Sequence, residues 1–190
     1  MKSLSILIPI YNEEESLQAL FEELKSSFEN NQSIEIIFIN DGSSDKSQKV
    51  IENEIANHST WKLINLYRNY GKSVALQSGI DIASNELIAT LDGDLQDDPK
   101  ELINLVRELN EDDVIVGWKK DRLDPLEKKI ASKIFNFFIK LFSGLKIKDS
   151  NSGIKVLKKE VAKSLNLYGG RHRYIPLLAH QKGFNAVSYT

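Results

Sequence analysis

Glu86-Leu87-Ile88-Ala89-Thr90-Leu91-Asp92-Gly93-Asp94-Leu95-Gln96-Asp97-Asp98-Pro99 is the stretch whose reading decides the fold of this 190-residue chain. It opens with an apolar run, Leu87 to Leu91, of the length and composition of a buried strand. It closes on a helix start, with Asp98 as N-cap, Pro99 at the first helical position and Glu101 three residues after the cap. Between the two, Asp92, Asp94 and Gln96 are spaced i, i+2, i+4, so an extended backbone would send all three side chains from one face. Two carboxylates and an amide oxygen just past a strand make a cradle for a hard divalent cation. Mg²⁺ or Mn²⁺ prefers such oxygens and keeps positions open for substrate phosphates. The plain alternative is turn chemistry, since Asp-Gly is a common turn pair and acidic residues before a helix favour its dipole. Capping accounts fully for Asp97 and Asp98. It leaves Asp92 and Asp94 open.

Upstream, Leu4 to Ile8 reads as a strand that Pro9 ends, and Asn12 with Glu15 reads as a capping box before Leu17, Leu20, Phe21 and Leu24 at helical spacing. Ile34 to Ile39 is a second strand, after which Asn40-Asp41-Gly42-Ser43-Ser44-Asp45 turns into a second helix. Lys62 to Leu66 is a third strand, and Arg68-Asn69-Tyr70-Gly71-Lys72 opens a helix running to about Ala83. Downstream of the central stretch, Asp113 to Gly117 is a fifth strand. Strands alternating with helices imply parallel pairing through right-handed crossovers, hence an α/β protein with a mostly parallel sheet flanked by helices. Ligands of such open sheets bind outside the carboxyl ends of the strands. Four polar clusters, Tyr11–Glu13, Asn40–Asp45, Arg68–Lys72 and Asp92–Gln96, fall at such ends. Turn chemistry alone does not explain four on one edge, so this edge is a binding site.

After Gly117 the character changes. Lys119 to Lys148 holds nine basic and three acidic residues. Within it Leu126 to Phe142 is helical in pattern, with a wide apolar arc and Lys129, Lys133 and Lys140 on the remaining face. That pattern suits either a helix packed on its own sheet or one lying in a membrane interface. Ile154 to Leu157 reads as a strand, Glu160 to Leu165 as a short helix, Tyr174 to Lys182 as a helix and Phe184 to Tyr189 as a last strand. The chain has no cysteine, which removes disulfides and thiolate metal sites; its three histidines are too scattered for a zinc site, and a net charge of −2 argues against generic nucleic-acid binding. The first strand follows Met1 too closely for a signal peptide, and no uncharged apolar run approaches the length of a membrane span.

The clusters, in order, resemble the inverting family 2 glycosyltransferases of GT-A fold, and most of all the polyprenyl-phosphate (dolichol- or undecaprenyl-phosphate) hexosyltransferases. The parts are Pro9-x-Tyr11-Asn12-Glu13, Asn40-Asp41-Gly42-Ser43-x-Asp45, Arg68-Asn69-x-Gly71-Lys72 and Asp92-x-Asp94-x-Gln96-x-x-Pro99, then Gly117-Trp118-Lys119, Arg122-x-Asp124, Ser132-Lys133-x-x-Asn136, Asp149-x-x-x-Gly153, and Tyr168-Gly169 with Arg173-x-x-Pro176. Each is weak alone; together they cover nearly the whole chain. The resemblance implies that Pro9, Tyr11, Glu13 and Asp41, with Asp92 and Gly93, line the nucleotide pocket of a UDP- or GDP-sugar donor. It implies that Asp92 and Asp94, helped by Gln96, hold a divalent cation, Mg²⁺ or Mn²⁺, that bridges the donor's phosphates. Asp149 and Asp94 would be catalytic, and Lys119, Arg122 and Arg173 would bind phosphate. Family members usually have arginine where Lys119 stands, many have aspartate at Asn40, and relatives tend to be apolar at Arg171.

The expected unit is one GT-A domain over 1–190, with a nucleotide-sugar half at 1–118 and an acceptor- and membrane-facing half at 119–190. The family continues with a basic Arg…Gly-x-Ser-Lys-Tyr loop and often with transmembrane helices, so the expectation is a chain truncated at its C-terminus. The expected reaction moves a hexose to a polyprenyl phosphate acceptor, at the cytoplasmic face of a membrane through peripheral contact, with a homo-oligomer open. Rival readings are a family 2 enzyme acting on a sugar hydroxyl and an inactive nucleotide-binding module. A nucleotidyltransferase or a dehydrogenase would need a glycine-rich loop after the first strand, and Pro9-Ile10-Tyr11-Asn12-Glu13 is nothing like one.

Overall fold

The computed structural model describes residues 2–28, 31–118 and 152–189. The helix read at Leu126 to Phe142, together with Lys119, Arg122 and Asp149, lies outside the described residues. The described chain runs β1 (Leu4–Ile10), α1 (Leu17–Phe28), β2 (Ile34–Asn40), α2 (Ser47–Ile55), β3 (Trp61–Asn65), α3 (Lys72–Ile82), β4 (Leu87–Thr90), α4 (Lys100–Glu108) and β5 (Val114–Gly117). It resumes with β6 (Lys155–Lys158), α5 (Lys159–Ser164), a 3₁₀ turn (Arg171–Tyr174), α6 (Ile175–Gln181) and β7 (Ala186–Tyr189).

The seven strands form one sheet in the order β3-β2-β1-β4-β6-β5-β7. Every pairing is parallel except those of β6, which runs antiparallel to both β4 and β5. Each face carries its own apolar layer, which is why the central strands are apolar runs rather than alternating ones. Ile6, Ile8, Ile10 and Phe38 pack with α1, α2 and α4 on one face. Leu7, Ile37 and Ile39 pack with α3, α5 and α6 on the other.

Two local expectations are corrected. Pro9 does not end β1, which pairs with β2 through Ile10. The β1–β4 ladder stops at Leu7 and Thr90, and the Leu7 carbonyl accepts the Leu91 amide, whereas the Ile10 carbonyl accepts from Asp41 on the β2 side. The donor that Pro9 lacks therefore falls on the β4 side, beyond the last ladder pair, where it costs nothing. Asn12 does not cap α1 either: it has φ 56°, five residues before the helix begins. Its Oδ1 accepts the Ser44 amide at 2.8 Å and its own amide donates to Ser43 Oγ at 3.0 Å. Glu14 continues this zipper, donating to Asp45 Oδ2 and accepting from the Lys46 amide. The loops after β1 and β2 are thus fastened to each other.

Asp98 caps as read, its Oδ1 accepting the Lys100 amide at 2.9 Å, and Pro99 already has helical angles. Arg171 gains an account from the structure: its guanidinium lies 4.5 Å over the Tyr168 ring and donates to the Asn166 carbonyl.

Candidate active site

The carboxyl ends of β1, β2, β3 and β4 open into a cleft of about 320 Å³ lined by Pro9, Ile10, Tyr11, Glu13, Asp41, Asn69, Gly71, Lys72, Asp92, Gly93 and Asp94. All the residues read from the sequence as nucleotide-binding are gathered here. Tyr11 offers a half-exposed ring, and the Glu13 carboxylate accepts from Ser16 Oγ, which also reaches the Gly93 carbonyl. Asp41, only 3% exposed, uses both oxygens on backbone: Oδ1 accepts the Tyr70 amide at 2.8 Å and Oδ2 the Gly71 amide at 2.9 Å. It therefore ties the loop after β3 to the end of β2 as well as lining the cleft. Gly42 next to it has φ +67° and lies so near Arg68 that a Cβ would sit 2.3 Å from that backbone carbonyl carbon. No other residue type fits there.

Asp92 and Asp94 reach the cleft together, but Gln96 does not line it. The backbone does not stay extended past β4. It bends at Gly93–Leu95, Leu95 has φ 61°, and Asp94 Oδ1 accepts the Gln96 amide at 3.2 Å. The one-face argument for Gln96 therefore fails, because an Asx-type turn takes it round the corner. Among the described residues no three His, Asp or Glu side chains cluster as a complete metal site. Two hard carboxylates at the mouth of a cleft are the donor set of a cation that completes its shell with substrate phosphates. The residues present fit such a group.

Lys72, the first residue of α3, pairs with Asp92 Oδ1 at 2.5 Å. Beyond that pair lies a second cavity of about 240 Å³, lined by Lys72, Leu76, Thr90, Asp92, Ser152, Gly153, Lys155, His172, Arg173 and Ile175. Arg173, read from the sequence as phosphate-binding, stands here and not in the first cleft. The antiparallel β6 makes this cavity, since its first residues enter at the edge where the parallel strands leave. Thr90 Oγ1 donates to the Gly153 carbonyl at 2.7 Å, and a Cβ on Gly153 would meet Asp92 Cγ at 2.9 Å. Buried Lys155 donates to the Ser152 carbonyl. His172 is hydrogen-bonded to Ser73 Oγ, and burial first, then the positive charges of Lys72, Arg173 and Lys155, push its pKa down to about 4.

The two cavities share a wall and differ in sign. Among the described residues, the first is lined by four carboxylates and one lysine, the second by two lysines, an arginine and one carboxylate. Sequence reasoning had Lys72 in a motif without a role, and it missed Thr90, Lys155, Ser73 and His172. Lys155 left a signal, a lysine inside the apolar run Ile154–Leu157. His172, flanked by two arginines, left none.

The chain is similar in sequence to the dodecaprenyl-phosphate galacturonate synthase of Rhizobium johnstonii, 37% identical over 178 residues covering 91% of this chain and 53% of that protein. It is 36% identical over 185 residues to the undecaprenyl-phosphate 4-deoxy-4-formamido-L-arabinose transferase of Photorhabdus laumondii, covering 95% of this chain and 56% of that one. The chain thus spans about half the length of the curated relatives it matches. In fold it is similar to a mannosyltransferase from Pyrobaculum calidifontis in complex with GDP-Man and Mn²⁺ (TM-score 0.76, 14% identity, 99% of this chain and 55% of that one). It is also similar to glucosyl-3-phosphoglycerate synthase from Mycobacterium tuberculosis (TM-score 0.77, 17% identity, 98% and 69%). Both likenesses establish the GT-A architecture of the sheet and its helices. With the glycosyl transferase family 2 model matching residues 5–165, the chain belongs to that family.

Proposed function

We propose that this chain is the catalytic unit of an inverting hexosyltransferase that takes a UDP- or GDP-sugar in the acidic cleft and a polyprenyl phosphate in the basic cavity. Residues 1–118 supply the donor cleft, and the acceptor side is shared between residues 119–190 and Lys72, Leu76, Thr90 and Asp92 of the first half. The observation that carries the reading is the pairing of two cavities of opposite charge across the Lys72–Asp92 wall. Pro9, Tyr11 and Glu13 receive the nucleoside, and Asp41 holds the loop that closes its side. Asp92 and Asp94 hold a divalent cation with the donor's diphosphate. Held there, a divalent cation would neutralise the charge developing on the leaving oxygens.

An oxygen of the acceptor phosphate forms a bond to the anomeric carbon as the bond from that carbon to the diphosphate oxygen breaks. The bonding pair leaves with the nucleoside diphosphate. A phosphate monoester has its second ionisation at about 6 and is largely dianionic at neutral pH, so it needs a general base less than a sugar hydroxyl does. It needs cations to approach another anionic ligand, and Arg173, with Lys119 and Arg122, supplies them. Asp149 is assigned, from its place in the family motif, the role of base or of orienting those cations. The acceptor is membrane-borne, so the site works at a bilayer surface; among the described residues no helix is long and apolar enough to cross a membrane.

The test is a binding panel of UDP- and GDP-sugars with and without Mn²⁺, followed by transfer to polyprenyl phosphate and to a plain sugar alcohol. Metal-dependent donor binding with transfer to the phosphate is expected. Preference for the sugar alcohol, with Asp149→Asn inactive on it, would replace this reading by the hydroxyl-acceptor one.

A further inference from the structure

His172 is the one histidine that reaches either cavity, and its hydrogen bonds decide its proton. Ser73 Oγ, fully buried at the start of α3, accepts the His172 backbone amide at 3.0 Å and lies 2.9 Å from His172 Nδ1. A hydroxyl has one proton to give. Were Nδ1 also protonated, Ser73 would accept twice and its own proton would stay buried without an acceptor, a penalty of the kind that folded proteins avoid. The Ser73 proton therefore goes to Nδ1, and the imidazole proton sits on Nε2. Nε2 has no hydrogen-bond partner among the described residues.

The charges facing this ring are Lys72 from α3, Asp92 after β4, Lys155 from β6 and Arg173 from the same 3₁₀ turn. In that company, and with a pKa near 4, the ring is uncharged at neutral pH. It is also no general base, since Nδ1 is already accepting and Nε2 already carries a proton.

We propose that His172 is a binding residue for a phosphate monoester in the second cavity, acting as a neutral Nε2–H donor that Ser73 holds in that tautomer. The inference rests on the acceptor-phosphate reading of the cavity and deepens it. The two lysines supply attraction without direction and Arg173 a planar fork, while a tautomer-locked N–H adds one more directed donor without further charge. A dianion seated by such a donor keeps an oxygen placed for attack. A sugar hydroxyl would instead need a base that His172 cannot be.

The experiment is ¹⁵N NMR of the histidine side chains in the full chain at neutral pH, titrated separately with inorganic phosphate and with a short-chain prenyl monophosphate. A protonated Nε2 and an unprotonated Nδ1 are expected for His172, with the Nε2–H resonance moving as either anion is added. Stronger response to the prenyl ester identifies the lipid as the source; equal response identifies the phosphate group alone as what the site reads. His172→Phe should weaken the phosphate ligand roughly ten- to hundredfold, the scale of one hydrogen bond to a charged group. It should leave nucleotide-sugar affinity unchanged, and His172→Gln, which keeps an N–H donor, should recover part of the loss. Ser73→Ala should restore mixed tautomers. A proton on Nδ1, or an Nε2–H indifferent to both anions, overturns the proposal. If the Nε2–H responds while no transfer to prenyl phosphate occurs, the proposal stands and the proposed function falls.

Discussion

Gly153→Ala probes the wall between the two cavities with a single methyl group. The Gly153 backbone lies outside the left-handed range, so an alanine there meets no conformational penalty of its own. Its Cβ would lie 2.5 Å from Asp97 Oδ2, 2.9 Å from Asp92 Cγ and 3.0 Å from Asp92 Oδ2. Carbon atoms settle at about 3.5–4.0 Å, so Asp92 must withdraw by roughly 0.6 Å or more. Asp92 is not free to do so cheaply: Lys72 holds its carboxylate, and the Leu91 amide before it is bonded to the Leu7 carbonyl in β1. Overpacking of this kind costs about 1–2 kcal/mol, which for a chain of this size lowers the melting temperature by about 2–8 °C. Function should suffer more than stability, because a displacement approaching 1 Å at a positioning group costs up to about a hundredfold in rate. The assay compares melting temperature, Mn²⁺-dependent donor affinity and kcat for Gly153→Ala and for Gly170→Ala, whose Cβ would meet nothing within 4 Å. Gly170→Ala should match the parent in all three. If Gly153→Ala does too, Asp92 is not where the donor and its cation are held.

Lys72→Gln removes the ammonium that competes for Asp92 Oδ1. The free protein should then bind Mn²⁺ more tightly by calorimetry while transfer slows; weaker Mn²⁺ binding would place the cation elsewhere. Acid stability should turn on Glu35, a buried carboxylate of β2 far from the cleft. Burial pushes its pKa up, but hydrogen bonds from Lys62, Ser5 and Ser84 outweigh that and leave it below the ordinary value of 4.5. A depressed folded pKa contributes stability that is complete above 4.5 and lost as pH falls through the folded value. The melting temperature should therefore be insensitive to this group from neutral pH down to about 5 and decline below 4.5, with Glu35→Gln lacking that part of the decline. Equal acid slopes in the two proteins would remove Glu35 from the account.

The alternation of apolar runs with capped helices was readable because each element answers to a local rule. Strands of four to seven residues buried on two faces read as continuous hydrophobic runs, and Asp98 before Pro99 has nothing to do but cap. What failed depended on neighbours remote in sequence. Asn12 looked like a cap because its local pattern with Glu15 is one; the Ser43–Ser44 loop, more than thirty residues on, claims its side chain instead. Gln96 was placed beside Asp94 by assuming an extended chain, and one residue at positive φ, Leu95, undid the period of two. The direction of β6 was equally hidden. A strand shows no polarity in its composition, yet that polarity carries Gly153 and Lys155 to the edge where Asp92 stands. The half of the site built from parallel strand ends was therefore legible, and the half built by an antiparallel return was not.

The sign of each cavity constrains what can bind in it and in what company. A nucleoside diphosphate carries negative charge into a cleft that already presents Glu13, Asp41, Asp92 and Asp94 against Lys72 alone. Partly enclosed like charges repel more strongly than exposed ones, since less solvent screens them. The donor is therefore unfavourable there by itself and becomes favourable only with a divalent cation that answers both sets of charge. The second cavity faces the opposite problem: among the described residues Lys72, Lys155 and Arg173 line it against Asp92, and an arriving phosphate answers that excess without help from a metal. Metal dependence should for that reason divide at the Lys72–Asp92 wall. Removing divalent cations should abolish nucleotide-sugar binding while leaving phosphate-monoester binding weakened but still measurable, two affinities read by calorimetry on the same sample. Moreover, once a cation occupies Asp92, Lys72 loses its partner and adds its full charge to the second cavity. Donor and cation together should then tighten phosphate binding, and by linkage the phosphate should tighten the donor to the same degree. Affinities that fall in step when the metal is removed would mean that the two anions share one charged site, and the division of labour argued from the wall would be wrong.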